Sequence, residues 1–265
     1  MSPKFSKFEN KIIKDFNRDG FIIFDIKEKK TLLKIKKLFE KKIHKISKKK
    51  KIKIYKDKDI LNNFHKYLNF EQLNDFRFQL YNSINDQKWF LDEYFCMGKK
   101  YLEVICGNEL AMQRKVNLSI QLPKDDSSLL PIHSDVWSGC SAYEVVLWIP
   151  MVDVSKTKSM FILPKKTNEI YYKKFNKYKD TTSLQKAIDK KVKWLNIKFG
   201  QGLIFAHHLM HGNKVNITNE TRWSFNCRFK SLMSPYDKKD IAETFFPLIV
   251  RPATRVGLEY EHPQI

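Results

Sequence analysis

Apolar residues in the first hundred positions recur at helical spacing. The stretch KFENKIIKDFNRDGFIIFDI predicts a short helix, a turn at Asp19-Gly20, and a strand from Phe21 to Ile26. In KKTLLKIKKLFEKKIHKI the apolar positions Leu32, Leu33, Ile35, Leu38, Phe39, Ile43 and Ile46 form a helical stripe. The Lys-rich run from Lys48 to Lys58 reads as a solvated segment. Residues 59 to 107 continue in helical patterns with little Gly or Pro. From about residue 110 the pattern changes. RKVNLSIQLP, YEVVLWIPMVDV, SMFILP, WLNIKFGQGLIFAHH and RWSFNCRFKSL are short β-rich runs separated by turn residues. Residues 168 to 191 interrupt them as a helical or irregular insertion. Helices followed by many short strands predict an α+β protein whose β part is a sandwich or jelly roll. The expectation is a single domain over 1–265, mostly helical through 107, with its β core over 108–235.

Composition changes this picture little. The chain has 265 residues, 42% of them hydrophobic and 14% aromatic, enough for a sizeable core. Its formal net charge of +21 raises nucleic acid or an acidic surface as a partner. Only seven of the basic residues are Arg, and Lys, Asn, Ile and Phe are abundant together. That combination is what an AT-rich coding sequence produces, so nucleic acid is not the expected partner. The cysteines Cys96, Cys106, Cys140 and Cys227 form no CxxC pair. No secretory leader pattern and no apolar run long enough to span a bilayer is legible. The expected location is the cytoplasm, with free thiols.

The chemistry concentrates in two places. PIHSDVW sets His133 and Asp135 two residues apart, and in a strand such residues project to the same face. Downstream, GQGLIFAHHLMHGNKVNITNETRWSFNCRFK holds His207, His208 and His211, then Arg222 and Ser224. Two imidazoles and one carboxylate on one face of a metal leave three positions open, the arrangement of Fe(II) oxygenases. A planar Arg fork suits the distal carboxylate of a keto acid, and a Ser two residues on adds a hydroxyl donor. Arg222 and Arg228 share a strand face and compete for that role. Asn117, Ser119 and Gln121 form a polar face that either lines a wet cavity or meets solvent. If that face is inward, Asn117 and Gln121 are candidates to contact the keto acid or substrate. Trp137 is a candidate wall of the substrate site.

His133-x-Asp135, His211 followed by Gly-Asn, and Arg222-x-Ser224, in that order, resemble the Fe(II)/2-oxoglutarate-dependent dioxygenases. The layout is similar to the phytanoyl-CoA hydroxylase-like branch, nearest to oxygenases of bacterial surface-carbohydrate clusters. The sequence departs from that branch at Lys158-Ser159, where Asn-Gly is usual, and at Leu163-Pro164-Lys165-Lys166, where a PGSH-like stretch is usual. The resemblance implies a double-stranded β-helix (jelly roll) core with N-terminal helices packed on it. It implies Fe(II) on His133, Asp135 and His211, with 2-oxoglutarate anchored by Arg222 and Ser224 and O2 as second cosubstrate. Hydroxylation of a small polar metabolite, with release of succinate and CO2, is the implied reaction, and Arg228 is a candidate substrate contact. The RWSFNCR run also resembles the paired-Arg strand of AlkB-type nucleic-acid demethylases, and a non-enzymatic jelly-roll binding module is the other alternative.

Overall fold

The computed structural model describes residues 4–55, 57–127, 129–241 and 243–263. Lys56, within the predicted Lys-rich run, lies outside the described residues. Helix α1 (Lys7–Asp19) opens with a capping box: Ser6 Oγ accepts from Glu9 N–H, and Glu9 reaches back to Ser6 N–H. It closes at Gly20, whose φ of 76° sends the chain into β1 (Phe21–Asp25). Helices α2 (Lys29–Lys49), α3 (Ile60–Asn63), α4 (Phe70–Asn85), α5 (Phe90–Cys96) and α6 (Lys99–Cys106) follow. Strands β2 (Leu110–Gln113), β3 (Asn117–Gln121), β4 (Val145–Pro150) and β5 (Phe161–Ile162) come next. The predicted insertion is helical, as α7 (Lys165–Lys173) and α8 (Thr181–Ile188). The chain then forms β6 (Lys193–Trp194), β7 (Gln201–Ala206), β8 (His211–Gly212), β9 (Arg222–Ser231), β10 (Phe245–Ile249) and α9 (Pro252–Leu258).

Among the described residues the strands form two antiparallel sheets. The larger has seven strands in the order β1-β7-β4-β9-β2-β10, with β3 pairing the first half of β9. The smaller runs β6-β5-β8. Sheet membership crosses the sequence regions: β1, from the helical N-terminal part, pairs β7, and β10, beyond residue 235, pairs β2.

Strand β9 organises the protein because its period of two separates two environments. Trp223, Phe225, Cys227 and Phe229 are buried. Trp223 and Phe225 meet Phe39 of α2 at ring distances of 5.0 and 5.4 Å. Trp223 Nε1 donates to Leu61 O at 2.7 Å. Full burial of Phe39 stabilises this layer by roughly 2 kcal/mol. The helical stripe of α2, Leu32, Ile35, Phe39, Ile43 and Ile46, is buried; the helix packs against α4 and α5 and reaches the large sheet through Phe39. Leu33, predicted on the stripe, is exposed. The alternate residues of β9, from Arg222 to Arg228, face the other way, into the space between the sheets.

Candidate metal centre and cosubstrate cavity

The polar face of β3 and the polar face of β9 meet in register, Asn117 opposite Asn226, Ser119 opposite Ser224, and Gln121 opposite Arg222. The face points inward. Together with the segment before β4 and with β8, it encloses a cavity of about 540 Å³, a size that holds small ligands. His133, Asp135, His211, Arg222, Asn226 and Arg228 all line it, as do Asn117 and Ser119.

His133 and Asp135 do not share one strand. His133 forms an isolated antiparallel bridge with His211, and Asp135 opens a short 3-10 turn over Asp135–Ser138 that ends at Gly139. The side-by-side projection expected from a strand is replaced by a turn, which still delivers the carboxylate to the same cavity. The histidines are brought opposite each other by reciprocal bonds, His133 N to His211 O at 3.0 Å and His211 N to His133 O at 2.9 Å. Gly212 allows this pairing: a Cβ there would lie 2.7 Å from Leu130 O. Asn213 clamps the same junction, its Oδ1 accepting from Leu130 N at 2.6 Å and its N–H donating to Leu130 O at 2.9 Å. The His-Gly-Asn motif therefore has a structural account: candidate ligand, close approach and clamp.

Both imidazoles are oriented by the carbonyl two residues earlier. His133 Nδ1 lies 2.7 Å from Pro131 O and His211 Nδ1 lies 2.8 Å from Leu209 O. With each Nδ1–H donating to its carbonyl, Nε2 carries the free lone pair on the cavity side. The rings stand 4.4 Å apart, tilted by 53°. Asp135 Oδ2 is 3.8 Å from His211 Nε2, and one ligand atom from each of His133, Asp135 and His211 lies within 4.8 Å of the others. Burial drives the His211 pKa down to about 4, against the pull of Asp135, so near neutrality it is the unprotonated form that can bind a metal. Burial opposes the charge on Asp135, but His211, His207 and Arg228 outweigh it and hold the carboxyl below its ordinary value. Arg228 is the permanent cation there, Nη2 donating to Asp135 Oδ1 at 3.1 Å.

Behind Asp135 lies a second buried group. His207 Nε2 is 3.5 Å from Asp135 Oδ2 and its Nδ1 is 3.2 Å from Glu144 Oε2. Glu144 Oε1 accepts from Ser141 N–H at 2.8 Å. Ligand atoms of Cys140, Glu144 and His207 also fall within 4.8 Å of one another. This group is already served by cations: Lys239 Nζ is 2.9 Å from Cys140 Sγ, and Arg228 pairs with Asp135 beside it. It lies directly behind Asp135, with neither nitrogen of the buried His207 ring making a hydrogen bond. His208 takes no part in either cluster; its carbonyl accepts from Tyr172 and Asn168.

Arg222 differs from Arg228. It is buried, its Nη2 donates to Ser119 Oγ at 2.9 Å, and Nη1 makes a long 3.4 Å contact with Ser159 O. Its Nε has no partner, nor does the buried Ser224 Oγ. Among the described residues no carboxylate pairs with it, and burial lowers its pKa to about 10. Gln121 is buried on the same face but does not line the cavity; its Nε2 donates to Lys214 O at 2.7 Å. Trp137 does not line it either. Its ring lies against Phe175 at 5.0 Å and Tyr172 at 6.3 Å, on the turn that leads to cavity-lining Ser138.

Three solved structures share this architecture. The non-heme monooxygenase ThoJ, in complex with nickel, aligns over 94% of this chain and 93% of its own at a TM-score of 0.57 and 14% identity. AviO1 from Streptomyces viridochromogenes Tue57 covers 88% of this chain and 100% of its own, TM-score 0.51, 12% identity. EctD from S. alaskensis, solved with bound Fe, covers 90% and 81%, TM-score 0.50, 15% identity. The chain is similar in fold to non-heme iron oxygenases. EctD has also been solved with 2-oxoglutarate and 5-hydroxyectoine. No family model and no curated protein matches the sequence. Among the described residues, no helix is long and apolar enough to cross a membrane.

Several contributors escaped the sequence reading. Ser119, the residue that meets Arg222, sat on the recognised polar face without a role. Asn226 was legible from the period of two in β9. Glu144 and Arg77 carried no local signal, since they reach the site only through the tertiary fold.

Proposed function

We propose that the protein is an Fe(II)- and 2-oxoglutarate-dependent dioxygenase. In this reading it is a single domain with a jelly-roll core, nearest in motif order to the phytanoyl-CoA hydroxylase-like branch. It hydroxylates a C–H bond of a small polar metabolite, with a sugar or sugar nucleotide as the substrate to test first. The observation that carries this reading is one cavity holding both a His-Asp-His candidate ligand set and a buried arginine with no counterion among the described residues. Imidazole and carboxylate donors suit Fe(II). A buried guanidinium with an unpartnered Nε is suited to a ligand's carboxylate.

When bound, Fe(II), 2-oxoglutarate and O2 together supply an oxidant for C–H cleavage, with succinate and CO2 as coproducts. The residues of this chain do the rest. His133 and His211 offer Nε2 lone pairs in orientations fixed by Pro131 and Leu209 carbonyls. Arg228 keeps Asp135 ionised and holds one of its oxygens. Arg222 holds the far carboxylate of the keto acid, with the Ser224 hydroxyl beside it as a further donor. Val146, Met160 and Phe205 supply apolar wall to the cavity and limit water there.

The test is anaerobic titration of the Fe(II) protein with 2-oxoglutarate, followed by succinate assay in air with ascorbate. A charge-transfer band that saturates, and succinate release, are the expected results. Band formation without succinate under any substrate would leave a binding module. Neither band nor succinate would overturn the reading.

A further inference from the structure

The charged residues around the cavity are unlike those of the chain as a whole. The sequence holds 50 basic residues, of which seven are Arg. Three of those seven, Arg77, Arg222 and Arg228, line this cavity, and none of the described lysines does. A bias toward Lys cannot produce that distribution. Arg in place of Lys matters where a planar fork must meet a carboxylate or phosphate. Among the described lining residues the one carboxylate is Asp135, a metal-ligand candidate.

Two of the three arginines have assignments. Arg228 is tied to Asp135, and Arg222 is taken by the far carboxylate of the cosubstrate. A divalent metal and a doubly charged keto acid cancel each other, so the surplus positive charge of the cavity persists when both are bound. Arg77 remains. It projects from α4, the helix that packs on β3, flanking the buried Phe76 and Leu80. It is half-buried, and its Nη2 donates to a neutral amide, Asn74 Oδ1, one helical turn earlier. No carboxylate pairs with it among the described residues. Elsewhere the cavity lining includes an amide pair, with Asn117 Nδ2 donating to Asn226 Oδ1 at 3.1 Å.

We propose that the substrate carries a carboxylate or phosphate and that Arg77 binds that group. The proposal rests on the Fe(II)/2-oxoglutarate reading for what occupies Arg222 and the metal site. Arg77 is thereby a specificity-determining residue. It places the anionic end of the substrate at the α4 wall, leaving the rest of the molecule to reach toward His133 and His211.

The experiment uses full-length protein loaded with paramagnetic Co(II) and saturated with 2-oxoglutarate. Inorganic phosphate and, separately, acetate are titrated while the 31P or methyl 1H relaxation of the anion is followed. Saturable relaxation enhancement is expected with at least one anion, and the better one names the group. In Arg77→Gln the apparent Kd should rise ten-fold or more, as for loss of a charge-assisted bond. Arg77→Lys should restore part of the affinity, and 2-oxoglutarate affinity should be unchanged in both variants. No saturable enhancement with either anion, or an unchanged Kd in Arg77→Gln, would overturn the proposal. Failure of Co(II) or 2-oxoglutarate to bind would instead sink the functional reading. Calorimetric titration of phosphate and acetate into metal-free protein then judges Arg77 alone: affinity lost in Arg77→Gln supports its role, and no difference overturns it.

Discussion

Replacing Arg222 with Met separates a ligand-binding arginine from a structural one. Met keeps much of the side-chain volume and removes the charge. Burial lowers the Arg222 pKa from 12.5 to about 10. At 1.36 kcal/mol per pK unit, the free protein bears roughly 3 kcal/mol for keeping that charge without a counterion. The bonds to Ser119 Oγ and Ser159 O offset part of this; a charged group gains about 1.5–3 kcal/mol from a good hydrogen bond, and the 3.4 Å contact is a weak one. The metal-free Arg222→Met protein should therefore be as stable as the parent or more so, by up to ~1 kcal/mol. That gain corresponds to a melting-temperature rise of roughly 2–4 °C in a protein of this size. Function should move the other way. Affinity for 2-oxoglutarate should fall by about ten-fold to a hundred-fold, from loss of a charge-assisted contact. The metal site should be retained. Urea denaturation of the metal-free protein gives the first quantity, and anaerobic titration of the Fe(II) protein gives the second. A loss of more than ~2 kcal/mol in stability with unchanged 2-oxoglutarate affinity would refute the argument and make Arg222 a structural strut. Arg228→Ala provides the contrast, since it should disturb Asp135 and metal affinity first.

His133→Ala, Asp135→Ala and His211→Ala should each abolish tight Co(II) binding, read from the visible absorption of the site, while His208→Ala should leave it intact. His207→Ala should keep three ligands but weaken the metal by roughly ten-fold to a hundred-fold, the usual effect of removing a group that orients a ligand; unchanged affinity would show that Asp135 needs no support from behind. Burial, the largest influence, raises the Glu144 pKa above 4.5, although Ser141 N–H, Arg228 and Lys230 pull the other way. A raised folded-state value means its contribution to stability is full below pH 4.5 and is lost as pH rises through the folded value. Glu144→Gln should flatten the fall in stability above that pH in urea denaturation across a pH series, and an unaltered slope would count against the assignment.

The chain's own pattern determined a good deal, because the physics involved is local. The apolar stripe of α2 and the period of two in β9 require only neighbours along the sequence, and they separate a helix-covered face from a polar one. The Ser6 cap and Gly20 stop were equally local. The order of His133, Asp135, His211, Arg222 and Ser224 was legible as a candidate site, and all but Ser224 line one cavity. What the sequence could not decide is how separate segments meet. His133 and His211, 78 positions apart, become partners only through a backbone bridge that Gly212 permits. Asp135 reaches the cavity from a turn and not from a strand, since the chain leaves the sheet after His133. Gln121 obeys the strand alternation, but its amide is claimed by the Lys214 carbonyl, a contact decided by where the loop after β8 runs. Glu144 and His207 came to lie behind Asp135, and Arg77 became a wall of the cavity, because strands and helices distant in sequence pack together. Alternation along a strand fixes which face a residue takes, whereas its partners on that face depend on long-range packing that no short window contains.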